Sequence, residues 1–138
     1  CRVGVCLWDV SGQLLIPHRV LEEENREQFG LKLGQGVAGK VAECREGLVV
    51  NDYRHWPGAP PEVLARTRIT AIMAAPLLYR DRLVGVIHMD TEDARVAFSE
   101  HDRELLRLFA SHAAIAIEHA RLFRGQERAY RDLEHAQE

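Results

Sequence analysis

The 138-residue chain fits one domain, since a single core usually serves about 100–200 residues. Its 46% hydrophobic and 28% charged residues suit a soluble protein with a real core. Eighteen basic against twenty-one acidic residues leave a net charge of −3, which argues against a nucleic-acid module held by a basic surface. No apolar run approaches the roughly 20 residues of a membrane span. Three cysteines make no disulfide framework, so a reducing cytoplasm is the expected compartment. All basic residues except Lys32 and Lys40 are Arg, scattered along the chain in the manner of a composition bias.

The first predicted element is a β-hairpin over Arg2 to Ile16. Val3, Val5 and Leu7 alternate with Gly4, Cys6 and Trp8, and Gly12 offers positive φ in the Asp9–Gln13 turn. Pro17 to Phe29 is polar and acidic and reads as an irregular strand end plus connection. Gly34, Gly36 and Gly39 lead into Val37, Ala38, Val41 and Ala42 at helical spacing, with Gly47 as the expected residue past the helix end. Leu48–Val50 reads as a short buried strand. Asn51 to Gly58 is a loop, and Pro57, Pro60 and Pro61 delay regular structure until one or two helical turns over Glu62–Thr67.

Ala71–Tyr79 and Leu83–Asp90 read as strands joined by a turn at Arg80–Arg82. Their nearly continuous apolar runs predict a sheet covered on both faces. Ser99 with Asp102 forms a capping-box pattern opening a long amphipathic helix through Leu105, Leu108, Phe109, Ala113, Ile117 and Phe123. Beyond Gly125, Ala129, Leu133 and Ala136 join Ile115 and Leu122 at a/d spacing, with His119 and Gln126 in the same seam. So long a helix exceeds what one small domain covers, and its distal half predicts a partner helix. Cys1 already stands in a strand, and the charged last helix carries no stop signal. A piece of a longer polypeptide is expected.

In this order, several segments carry a family pattern: Leu33-Gly-Gln-Gly-Val-Ala-Gly39, Leu48-Val-Val-Asn-Asp52, Ala75-Pro-Leu-Leu78, Leu83-Val-Gly-Val-Ile87, Phe98-Ser-Glu-His-Asp102 and Ala113 to Leu122. The chain resembles a GAF domain over essentially all of residues 1–123. The resemblance implies an α+β fold: a central antiparallel sheet of five or six strands, helices on both faces and a long C-terminal helix. Residues 124–138 would begin a signalling or linker helix toward an output domain in the same chain. It also implies that the family's usual first helix would precede Cys1, and that this helix and the last one pair in a homodimer. GAF domains serve mostly as sensory or regulatory modules in signalling proteins such as bacterial sensor histidine kinases. They bind small ligands, bilins or haem between the sheet and the connection corresponding to Asn51–Thr67, or bind nothing. A regulatory rather than catalytic domain is the expectation, with no nucleic-acid or membrane contact.

The ligand-binding candidates follow from that placement. Tyr53 and Trp56 offer flat apolar surface, and Asp52 and His55 offer charge and hydrogen bonds, which small-molecule pockets combine. Arg68, Met73, His88 and Asp90 are candidates for the remaining walls. The plainer alternatives are that Trp56 plugs the sheet face and Asp52 caps its own loop. The ligand itself is left unidentified. Pro60–Arg68 contains no cysteine, which argues against a covalent bilin, and no paired ligand accompanies His55 or His88 to argue for haem. Asn51 is followed by Asp rather than the Lys of the family's cyclic-nucleotide signature. A free methionine sulfoxide reductase of this fold would carry a cysteine where Ala38 stands. The glycines lack the Gly-Lys-Ser/Thr of a phosphate loop and are expected to form a turn and let the helix approach the sheet. No catalytic triad, carboxylate pair or metal site is expected.

Overall fold

A computed structural model describes residues 1–9, 13–18 and 31–136, with side chains at 14 and 16–18 left undescribed. The elements are β1 (Arg2–Asp9), β2 (Leu14–His18), α1 (Gly36–Cys44), β3 (Leu48–Val50), a 3-10 turn (Tyr53–His55), α2 (Pro61–Arg66), β4 (Ala71–Tyr79), β5 (Arg82–Thr91) and α3 (Glu100–Ala136). The strands form one antiparallel sheet in the order β2-β1-β5-β4-β3. The fold is α+β, with an antiparallel sheet and a long C-terminal helix. Gly12 and most of the expected Pro17–Phe29 connection lie outside the described residues, although Pro17 and His18 extend β2.

Strand alternation sends residues to two separate cores. On one face, Val37, Val41 and Ala42 of α1 pack with Cys6, Ala74 and Val86. On the other, Leu106, Ala110 and Ala114 of α3 pack with Ala75, Leu77 and Ile87. The near-continuous apolar runs of β4 and β5 thus have a physical cause: a helix lies against each face. A bulge resets the alternation, because Leu77 pairs with Gly85 while Leu78 pairs with Leu83. Val84 is the extra residue, and it joins Ile87 on the α3 face while Leu83 and Val86 face α1.

The expected Gly47 stop is corrected: Arg45 caps α1 in the left-handed region at φ 59°, two residues earlier. Its guanidinium donates to the Asp81 carbonyl in the β4–β5 turn, where Arg80 and Asp81 also take positive φ. That side-chain anchor compensates for a non-glycine residue in an unfavourable backbone region. At the start of α3, the Ser99 amide donates to Asp102 Oδ2 at 2.8 Å, and the Asp102 amide donates to Ser99 Oγ at 3.1 Å. The reciprocal capping box therefore forms with Asp in the third position. The glycine expectation divides: Gly34 and Gly36 supply positive φ for the turn, but Gly39 approaches the Lys32 carbonyl within that turn, not the sheet.

Candidate functional site

The 51–67 connection lies on the α1 face of the sheet. Tyr53 is buried, its amide donates to the Thr70 carbonyl at 3.0 Å, and its ring stacks on Trp56 with centroids 6.2 Å apart. Tyr53 belongs to the α1-side core with Val50, Ala59 and Ile69, and the half-buried Trp56 packs against it. Lys40 Nζ stands 5.9 Å from the Trp56 ring centre, a cation–π distance. The guanidinium of Arg54 donates to the carbonyls of Leu64 (2.7 Å) and Thr67 (2.9 Å), satisfying acceptors that α2 leaves open. Trp56 thus stands at the edge of the α1-side core, between its packed residues and solvent.

Near this connection, on the same face, is a polar group on β5 and β1 in which Asp90 is buried, His88 half-buried and Arg2 exposed. Alternation from Val86 puts His88 and Asp90 on the α1 face. Asp90 is 6% exposed and accepts from Arg2 Nε at 3.2 Å, while Arg2 Nη2 also donates to Glu92 at 3.1 Å. His88 Nε2 lies 3.7 Å from Asp90 Oδ2, too far for a hydrogen bond but close enough for charge to be felt. The imidazole lies over Gly4, where any Cβ would come within 2.5 Å of the ring. Glycine is the residue that lets this imidazole lie against β1.

Nδ1 of His88 is buried and has no hydrogen-bond partner. Burial holds the His88 pKa below the ordinary imidazole range; the Asp90 charge opposes this and the Arg2 charge adds to it. The ring is therefore neutral at physiological pH, able to donate from one nitrogen and accept at the other. Burial also pushes the Tyr53 phenol up, with Arg54 opposing and Asp90 adding.

The eight candidates separate into three sets. Tyr53, Trp56, His88 and Asp90 share the α1 face. Asp52 and His55 pair with each other at 2.8 Å, but their side chains are 75% and 83% exposed and face solvent. Arg68 is exposed in the segment between α2 and β4. Met73 is a correction: it is buried in the α3-side core, because odd positions of β4 from Ala71 to Leu77 face that helix. There it lines an open apolar groove of about 410 Å³ with Val3, Ile87, Met89, Leu106 and Phe109.

Two residues outside the candidate set organise the region. Arg2 completes the polar group, and on an exposed strand end nothing in sequence marks it. Asn51 clamps the segment before α3: its Nδ2 donates to the Phe98 carbonyl at 2.9 Å, and the Phe98 amide donates to its Oδ1 at 2.8 Å. The buried Glu118 of α3 accepts from Arg82 at 2.9 Å and lies 3.4 Å from Arg121. Among the described residues, no three His, Cys, Asp or Glu side chains gather to hold a metal, and no helix is long and apolar enough to cross a membrane. Cys6 is buried, which pushes its thiol up to about 11, whereas Cys1 and Cys44 are exposed.

Known proteins repeat this architecture. The chain is 28% identical over 119 residues to the probable 3',5'-cyclic phosphodiesterase pde-5 of Caenorhabditis elegans, covering 83% of this chain and 16% of that protein. It is 24% identical to the nitrogen fixation protein AnfA of Azotobacter vinelandii, covering 83% of this chain and 22% of that one. The chain thus spans less than a quarter of these relatives. Among solved structures, the GAF domain of a phosphoenolpyruvate-protein phosphotransferase from Coxiella burnetii superposes with a TM-score of 0.76 at 20% identity, over 89% of this chain and 74% of that one. A free methionine-R-sulfoxide reductase from Neisseria meningitidis shares the fold at a TM-score of 0.71 and 23% identity, over 87% and 68%. The family model for the GAF domain matches residues 1–118, and the chain belongs to the GAF domain family.

Proposed function

We propose that this domain is a cytoplasmic sensory or regulatory module of a bacterial signal-transduction protein, such as a sensor histidine kinase. It binds a small ligand at the polar group of His88 and Asp90, pairs with a second copy through its terminal helix, and relays the signal along α3 to an output domain. The domain itself is not catalytic. The observation that carries the ligand reading is His88 Nδ1, a buried hydrogen-bonding atom without a partner beside the Arg2–Asp90 ion pair. Leaving such an atom unmet costs about 1–3 kcal/mol, a cost a polar ligand would offset. Tyr53 and Trp56 stand over the same face, so a ligand entering there would displace the 51–67 connection against the sheet. Asn51 links the start of that connection to Phe98, one residue before the α3 cap. The path to the output helix is therefore short.

A thermal-shift series with cyclic GMP, cyclic AMP, haem and small carboxylic acids tests this reading. A ligand should raise Tm in the unaltered protein and lose most of that effect in His88→Ala or Asp90→Asn. Stabilisation that survives both substitutions would place binding elsewhere. No stabilisation by any probe would leave the pairing and relay role alone. The exposed Cys44 offers the one described thiol on a helix for a redox reading; equal activity of Cys44→Ser toward free methionine sulfoxide would remove it.

A further inference from the structure

Among the described residues, His88 Nδ1 is the only buried side-chain nitrogen or oxygen without a hydrogen-bond partner. The other nitrogen of the ring faces a charged cluster. Arg2 Nε donates to Asp90 Oδ1 at 3.2 Å and Arg2 Nη2 to Glu92 Oε1 at 3.1 Å, so two carboxylates hold one guanidinium. The second oxygen of Asp90, Oδ2, lies 3.7 Å from His88 Nε2. Gly4, opposite His88 in the antiparallel register, makes room for the ring. The other residues buried on this face, among them Val41 and Ala42 of α1, Ala74 of β4 and Tyr53 of the connection, carry no charge at neutral pH. Burial most of all, helped by the Arg2 charge and opposed by that of Asp90, keeps the imidazole neutral.

A carboxylate attracts an N–H, so the neutral ring carries its proton on Nε2, toward Asp90, and Nδ1 keeps a bare lone pair. A ligand meets that atom only by bringing an N–H or O–H to it. We propose that His88 is a proton-controlled switch for the ligand site: the neutral ring accepts a ligand's hydrogen bond at Nδ1, and the protonated ring refuses it. The inference rests on the ligand reading above and adds the donor chemistry of the ligand and its regulation by pH.

Protonation places a hydrogen on Nδ1 and turns the acceptor into a donor, so a ligand N–H would meet another N–H. The proton comes from solvent, which reaches the ring because 26% of the side chain is exposed. The new cation is drawn to Asp90, and closing the gap by roughly 0.9 Å makes a charge-assisted bond of about 2.8 Å. Arg2 opposes this step, since its guanidinium already compensates the same carboxylate. Arg2 therefore tunes the pH at which the switch turns. A histidine kept for packing alone has no reason to leave a buried nitrogen unmet beside a carboxylate oxygen that Arg2 does not use.

Nitrogen-15 nuclear magnetic resonance of the 138-residue chain with labelled histidine, from pH 7.5 to 4.5 and with circular dichroism to confirm the fold, tests this. The His88 signals, identified by their loss in His88→Gln, should show the Nε2–H tautomer at pH 7.5 and a second proton at acid pH. Arg2→Gln should move that midpoint up, and Asp90→Asn should move it down. An Nδ1–H tautomer at pH 7.5, or a midpoint that neither substitution moves, overturns the switch. For each probe of the thermal-shift series that binds, Kd should rise about twofold at the midpoint and about tenfold one pH unit below it, as the neutral fraction falls. Gln keeps an acceptor that takes no proton, so in His88→Gln the Kd should stay level across that range. A Kd in the unaltered protein that ignores the midpoint overturns the regulation. Silence of every probe overturns the ligand reading and with it this regulation, whereas the wrong tautomer overturns the regulation alone.

Discussion

The two faces of the sheet are closed by opposite means. On the α1 face, a connection rich in aromatic and charged residues folds over the strands, and the groups on that face include the Arg2–Asp90 ion pair and a half-buried imidazole. On the α3 face, one helix crosses a mostly apolar surface, with the buried Glu118 paired to Arg82 farther along it, and leaves a groove beside Val3, Met89 and Phe109. Buried polarity is retained where something must be recognised or positioned, since it costs stability unless satisfied. Exposed apolar area on a helix marks a surface that meets another protein. On the reading proposed above, the first face takes a small ligand, while the second is covered by α3.

The largest test of this contrast is a pair of aromatic truncations. Trp56→Ala should cost about 2 kcal/mol in urea unfolding, since the half-buried indole packs against the α1-side core. Phe109→Ala should stay within about 0.5 kcal/mol for the separated chain, because most of that ring is already in water. Similar costs for the two would erase the distinction between the faces. Next comes Asn51→Ala, which strips two hydrogen bonds from the clamp on Phe98. A loss of about 2 kcal/mol is expected, with faster amide exchange at the start of α3. If exchange there is unchanged, Asn51 does not link the two faces.

Ser99→Ala should cost about 1 kcal/mol by removing half of the capping box on the α3 side. A value near zero would mean that α3 is held by packing alone. The smallest effect is the pH dependence of the α1 face. Burial lowers the His88 pKa from its ordinary 6.5, so the folded protein binds fewer protons than the unfolded chain below that pH. Stability from this residue is therefore full above about pH 6.5 and is lost as pH falls toward the folded value. Urea midpoints at pH 7.5 and 5.5 should differ less in His88→Gln than in the unaltered protein. An identical difference would remove His88 from the account.

Much of the fold was legible because it depends on local patterns. The alternation in Val3–Trp8, the runs of β4 and β5 and the Ser99–Asp102 spacing each act through immediate neighbours. The failures share another cause. Gly47 looked like the end of α1, but Arg45 stops it by reaching across to Asp81, a contact between residues 36 apart. Met73 looked like a pocket wall, yet the face that a strand residue takes depends on which helix covers which side. The 3-10 turn at Tyr53–His55 and the bulge at Val84 follow from packing and pairing rather than composition. Arg2 entered the site only because β1 lies beside β5, bringing residue 2 next to residue 90.

Sequence alone determined the family, the order of elements and the length of α3, since turn residues, caps and hydrophobic period act within a few residues of one another. Only the tertiary structure decided which candidates share a face, that Trp56 packs at the edge of the core, and that His88 holds a buried nitrogen without a partner. Those properties belong to the antiparallel register and the bulge, which bring distant residues together and settle the side toward which each one turns.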